Sequence, residues 1–274
     1  MAVDLAFSEY GDPKGKTVIY FHGAPGGPEE CSIFDIHARQ HGLRLVCYDR
    51  FSIDSRLKED AYYKYLADVI VANTSGEKVD LVGFSIGCHV AINTSLYLGD
   101  SVGKLHLVSA GAPLDGDDFL PDMAGKMLFS IAMKLPIMFT LLSHWQALLS
   151  KLAPRALFRM LFASATAQDQ VLSKTTEFQE YMRPILSHCF SANLRGYIRE
   201  ISQYVTPWKA SVFNCNSATH IWHGLNDNWS PVAMAKYLDE NLSNASTIMI
   251  FDGLSHYSCL NAAVSEICSQ LAED

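Results

Sequence analysis

The sequence predicts an α/β fold in which a mostly parallel sheet carries helices on both faces and a helical segment is inserted late in the chain. Three observations lead to it. Short apolar, β-branched runs alternate with longer segments of helical period. The runs are almost continuously hydrophobic, as strands buried on both faces are. The stretch from Pro113 to Cys215, rich in Leu, Met and Phe, has helical spacing and no strand rhythm.

The predicted strands are Thr17 to Phe21, Leu43 to Tyr48, Val79 to Gly83, Leu105 to Val108, His220 to Trp222 and Thr247 to Phe251. Helical segments fall between and after them, at 29–41, 57–73, 86–98, 231–241 and 257–271, as a chain of βαβ units requires. The core is therefore expected over 1–113 and 213–274, with the insertion over 114–212. Its most apolar part, Met127 to Leu142, is interrupted by Lys134 and Pro136 and falls short of the ~20 apolar residues of a bilayer span. The insertion reads as an amphipathic cap packed over the sheet in preference to a membrane-surface helix, and no stable membrane insertion is expected.

Composition narrows the function classes. The chain has 274 residues, is 49% hydrophobic and 18% charged, and has a net charge of −8, which suits a globular protein and argues against nucleic acid as a partner. Its seven cysteines are scattered, odd in number and without a C-x-x-C pair. That distribution suggests neither a disulfide framework nor a zinc site. The opening stretch, Met1 to Tyr10, has no basic region followed by an apolar one, so no secretory signal is expected and a cytoplasmic location is the consistent reading. In that compartment the triplets beginning at Asn73, Asn93 and Asn244 are chance sequons.

The sharpest chemical signal is Gly83-Phe84-Ser85-Ile86-Gly87, which follows the strand Val79 to Val82 and opens the helical run from Cys88 to Leu98. This is the context of a G-x-S-x-G nucleophile elbow. The serine sits in a strained turn, so small residues two places to either side let the backbone approach closely. A helix starting just after Ser85 directs free N–H groups at charge developing beside the nucleophile. The same five residues could also form an ordinary strand-to-helix turn.

With this motif in place the chain resembles the α/β-hydrolase superfamily, specifically its capped lipase- and esterase-like members, over nearly its whole length. His22-Gly23-Ala24-Pro25-Gly26-Gly27 looks like the family's oxyanion loop, and the resemblance implies that the N–H groups of Ala24 and Ile86 bind the oxyanion. The His22 imidazole itself reads as structural. Tyr48-Asp49-Arg50 resembles the strand-end Y-D-R, although Phe51 to Asp54 replace the usual Pro and Gly; Asp49 and Arg50 read as a structural ion pair. His223-Gly224-Leu225-Asn226-Asp227 through Pro231 looks like the acid loop, with Asp227 as the matching carboxylate. Asp252-Gly253-Leu254-Ser255-His256 matches the histidine loop, with Ser255 in place of the common Gly. Asp115, Asp117 and Asp118, after an earlier strand, remain alternative acids.

The resemblance implies a Ser85–His256–Asp227 triad that cleaves an ester or related acyl bond without metal or organic cofactor. Met127, Phe129, Met133, Phe139, Leu142, Trp145, Phe158, Met160 and Phe162 favour a small, apolar acyl substrate, though many could be interior to the insertion. Two other enzymatic readings remain. One is a proline-iminopeptidase-like aminopeptidase, with Glu177 and Glu180 holding the substrate amine; the other is a carbon–carbon bond hydrolase. A ligand sensor on the same fold is the reading from another class. The sequence leaves the oligomeric state open.

Overall fold

The structure is a computed structural model that describes residues 5–273. The first four residues of the stretch read for a secretory signal, and the side chains of residues 245 and 246 in one of the sequons, lie outside the described residues. Seven strands form one sheet: β1 (Phe7–Gly11), β2 (Lys16–Phe21), β3 (Leu43–Tyr48), β4 (Val79–Phe84), β5 (Val102–Val108), β6 (Ala218–Gly224) and β7 (Ala245–Phe251). Their order is β1-β3-β2-β4-β5-β6-β7. Every neighbouring pair is parallel except β1 with β3.

Strand β1 was not among the predicted six. Its sequence, Phe-Ser-Glu-Tyr-Gly, has no apolar run, because it lies at the sheet edge with one side facing outward. The predicted strands all form. β4 is buried at every position and lies at the centre of the sheet.

Helices α1 (Asp35–Gln40) and α12 (His256–Ala272) pack together on the sheet as one layer. α2 (Glu59–Asn73), α3 (Gly87–Leu98) and α11 (Val232–Asn241) form the other. The predicted helix over 29–41 divides into a 3-10 turn over Pro28–Phe34 followed by α1. Between β5 and β6 lie seven helices: α4 (Lys126–Lys134), α5 (Pro136–Leu152), α6 (Pro154–Leu161), α7 (Ala167–Leu172), α8 (Thr176–Ser187), α9 (Leu194–Tyr204) and α10 (Lys209–Asn214). A π-helical turn over His188–Ala192 joins α8 to α9.

Because β2, β4, β6 and β7 are parallel, the loops that leave their C-terminal ends gather along one edge of the sheet. Those loops carry His22–Gly27, Ser85, Asp227 and His256. An open α/β sheet places its ligand site at this edge.

Candidate active site

Ser85 takes φ = +57°, a left-handed conformation that residues other than Gly, Asn and Asp seldom adopt. Its N–H donates to the Val108 carbonyl at 2.9 Å, which fixes the turn against the end of β5. The flanking glycines are required by close approach. A Cβ on Gly87 would stand 2.1 Å from the Phe21 carbonyl oxygen, and one on Gly83 2.8 Å from Cys88 Cα. The elbow is thus wedged between β2 and β5 with no space for side chains at its two pivots.

His256 begins α12, and its Nδ1–H donates to Asp227 Oδ2 at 2.7 Å. The other oxygen of Asp227 accepts the N–H groups of Trp229 at 2.8 Å and Ser230 at 3.0 Å. The carboxylate is therefore buried yet fully hydrogen-bonded, as a charge in a desolvated position requires. Burial disfavours the His256 imidazolium, but the charge and hydrogen bond of Asp227 outweigh it, and the net shift raises the pKa above the ordinary value. The ring stacks nearly parallel to Trp229, 17° apart with centroids 5.5 Å distant, and tilts against Phe84 at 4.8 Å. Among the described residues the Ser85 hydroxyl makes no hydrogen bond to this ring; such contacts are commonly long until a substrate closes the site.

The alternative acids lie elsewhere. Asp115 Oδ1 accepts the N–H groups of Trp208 and Lys209 near the start of α10. Asp117 and Asp118 are exposed. Of the four candidates, Asp227 is the one that is hydrogen-bonded to His256.

The loop after β2 is held by groups that sequence motifs do not single out. Glu30 is fully buried; its Oε1 accepts the Tyr20 hydroxyl at 2.9 Å and the Gly23 N–H at 2.8 Å. Burial pushes this carboxyl up to about 7 against the opposing effect of those hydrogen bonds. His22 Nδ1–H donates to the Gly23 carbonyl at 2.8 Å, and burial together with the Arg50 charge keeps the imidazole neutral. The ring packs edge-on against Phe51. Among the described residues neither the Ala24 nor the Ile86 N–H donates to a protein acceptor, so both remain free to donate to a ligand.

Asp49 and Arg50 do not pair with each other. Arg50 donates to both oxygens of Glu200 in α9 at 2.7 Å and to the His22 carbonyl at 2.5 Å. Tyr62 donates a short hydrogen bond to the same Glu200. Asp49 instead meets His188 Nε2 at 3.0 Å and Asn193 Nδ2 at 3.2 Å. With Glu29 on its other nitrogen, His188 is pushed up to about 9, chiefly by its hydrogen bonds to Asp49 and Glu29. Consecutive residues at the end of β3 point in different directions, so each finds a partner in a different part of the insertion.

The insertion also reaches the histidine. Asp169 of α7 is buried and accepts the N–H groups of Tyr257 at 3.0 Å and Ser258 at 2.7 Å, which caps the first turn of α12. Ser255 completes a capping box with Ser258 at φ = −118°, a conformation open to any residue, and the turn's positive φ falls on Gly253. That explains why Ser255 can stand where a glycine is common. Ser109, after β5, donates to the His256 carbonyl at 2.9 Å.

A cavity of about 190 Å³ opens at Ser85, bounded on the sheet side by Ala24, Ile86 and Trp229. Leu128 and Phe129 of α4, Met160 and Leu161 of α6, and Tyr204 of α9 bound it from the insertion. A larger groove lies between α6 and α8, where Arg155, Arg159, Lys174 and Arg183 line it, and none of the candidate catalytic residues faces it. Of the apolar residues suggested by the sequence, Phe129 and Met160 border the cavity. Phe139 is fully buried and packs against Tyr197, while Met127, Met133 and Trp145 are exposed.

These features sit in a chain that belongs to the Alpha/beta hydrolase family, whose model matches residues 18–266. Among solved structures it is similar to a bromoperoxidase from Bacillus anthracis, with 20% identity and a TM-score of 0.70, covering 98% of this chain and 95% of that one. It is also similar to an esterase from Exiguobacterium antarcticum, with 15% identity and a TM-score of 0.69, covering 98% and 96%. A third similar structure is a thermophilic esterase from Thermogutta terrifontis, with 16% identity, a TM-score of 0.66 and coverage of 98% and 94%. At such identities the likeness speaks for the fold alone. No curated protein matches the chain.

Proposed function

We propose that this chain is a serine hydrolase that cleaves a carboxylic ester or related acyl substrate through an acyl-enzyme on Ser85. The observation that carries the reading is the 2.7 Å hydrogen bond from His256 to the buried Asp227, alongside a serine held in the left-handed region at the mouth of the same sheet edge. Ser85 attacks the acyl carbon while His256 takes the hydroxyl proton and passes it to the leaving group. Asp227 holds the imidazole with Nδ1 protonated and stabilises the imidazolium. The N–H groups of Ala24 and Ile86 receive the developing oxyanion. Water then attacks the acyl-enzyme with His256 as base.

Residues 114–212 serve as a cap that supplies the apolar wall over Ser85. The lining of the cavity contains no Asp or Glu among the described residues, and Glu177 and Glu180 are exposed on α8. That favours an uncharged, apolar acyl group over the free amine an aminopeptidase must bind. Seven free, buried cysteines suit a reducing compartment such as the cytoplasm. A fluorophosphonate probe tests the assignment: it should label Ser85, and Ser85→Ala should abolish labelling and ester turnover together. Labelling that persists in this variant would remove Ser85 from the role, and one slow turnover in the unaltered protein would favour a ligand sensor.

A further inference from the structure

Helix α5 is amphipathic in the reverse of the usual sense. Its buried positions include Ser143, Gln146 and Ser150, with Phe139 as the large apolar exception. Its outward positions Ile137, Leu141, Trp145, Leu148 and Leu152 repeat at the spacing of one helix face. Ile137 is 78% exposed, Leu141 64% and Leu152 75%. Met138 and, at the start of the helix, Leu135 widen the stripe. Internal packing leaves this face uncovered, and a contiguous apolar patch of this kind marks an interaction surface.

Charge says what covers it. From Met123 to Gln168 the chain has five cations, Lys126, Lys134, Lys151, Arg155 and Arg159, and no Asp or Glu, although the whole chain carries −8. Lys134 and Lys151 are exposed toward the two ends of the stripe. If two copies met along α5, an antiparallel arrangement would set Lys134 against Lys151 and a parallel one would set each against itself, with no carboxylate on the segment to offset the repulsion. An anionic bilayer offers what a second copy cannot: apolar depth for the stripe and negative headgroups for the cations around it. The 17 residues of α5 extend ~25 Å, less than the ~30 Å of a hydrocarbon core. No described helix is long and apolar enough to cross a membrane.

We propose that the outer face of α5 docks the protein reversibly on an anionic lipid surface, with the helix lying in the interfacial plane and Trp145 at headgroup depth. This concerns a face remote from the cavity and does not depend on the chemistry assigned to Ser85. The sequence favours an insertion packed over the sheet; α5 packs against α4, α6, α8 and α9 of that insertion, and does so by its more polar side.

Flotation of the full chain with vesicles tests it. The protein should float with vesicles of equal parts phosphatidylcholine and phosphatidylglycerol, and much less with phosphatidylcholine alone. Leu141→Glu with Leu148→Glu should abolish flotation without lowering the thermal unfolding midpoint, since both side chains are exposed. Lys134→Gln with Lys151→Gln should weaken binding to the anionic vesicles about five-fold for each cation removed. Failure of the unaltered protein to float with either vesicle would overturn the proposal, as would flotation unaffected by the Glu pair. A dimer in sedimentation that the Glu pair converts to monomer would assign the face to a second copy instead.

Discussion

Asp169 Oδ1 accepts the N–H of Ser258 at 2.7 Å, so a carboxylate from the inserted helices caps the helix whose first residue is His256. The negative charge lies at the positive end of α12, where the helix dipole favours it, and it helps raise the His256 pKa. Thr166 donates to the Asn226 carbonyl at 2.7 Å, and Asn228 Nδ2 donates to the Ser164 carbonyl at 2.7 Å. The segment 164–169 therefore ties the acid loop and the histidine loop to each other and to the insertion.

The first consequence is mutational. Asp169→Ala leaves two buried N–H groups without their acceptor, at a cost of about 1–3 kcal/mol for each group left unsatisfied. It also frees the turn that aims His256. Thermal unfolding should show the stability loss, and kcat should fall more than KM changes. Wild-type kcat in a destabilised but folded variant would restrict Asp169 to a structural role.

A second expectation concerns pH. In the proposed mechanism His256 must be neutral to accept the Ser85 proton, and its raised pKa places the acid limb of kcat/KM above the ordinary histidine value of about 6.5. Activity should therefore disappear as pH falls through that raised value. In Asp227→Asn the burial that disfavours the imidazolium persists while the opposing carboxylate is lost, so the limb should move to lower pH. Its plateau should fall by up to ~10⁴, the cost of a misplaced tautomer in the serine-protease template. A pH–rate profile of the two proteins checks both, and an unmoved limb would place the titration on another group.

Two phenylalanines of the insertion should behave differently. Phe129 borders the cavity at Ser85 and packs against Tyr204 at 5.4 Å, so Phe129→Ala should alter the preference among acyl chain lengths. A methylene that loses its apolar contact forfeits up to ~0.8 kcal/mol, roughly four-fold in kcat/KM. Phe139 is fully buried away from the cavity; Phe139→Ala should cost about 3–5 kcal/mol of stability and leave the chain-length preference unchanged. Measuring kcat/KM across a series of nitrophenyl esters, with unfolding midpoints, separates the two. The opposite pattern would move the acyl site toward α5.

The sequence by itself determined the central strands, the helices between them and the loops that bear Ser85, Asp227 and His256. These features depend on short-range chemistry: apolar runs that must be buried, and glycines such as Gly87 whose turn admits no side chain. The edge strand β1 escaped this reading because a strand with one side facing outward needs no apolar run. The acid-loop resemblance singled out Asp227, but only the tertiary structure brings that carboxylate to His256 and sends Asp115, which also follows a strand end, to the start of α10. It also decided that Arg50 pairs with Glu200 and not with its neighbour Asp49, and that Asp169 and Glu30 support the site from positions that no motif marks. The orientation of α5 belongs with these. Its spacing announces a helix with two faces, but only packing against the rest of the insertion determines that the more polar face turns inward and the apolar one outward.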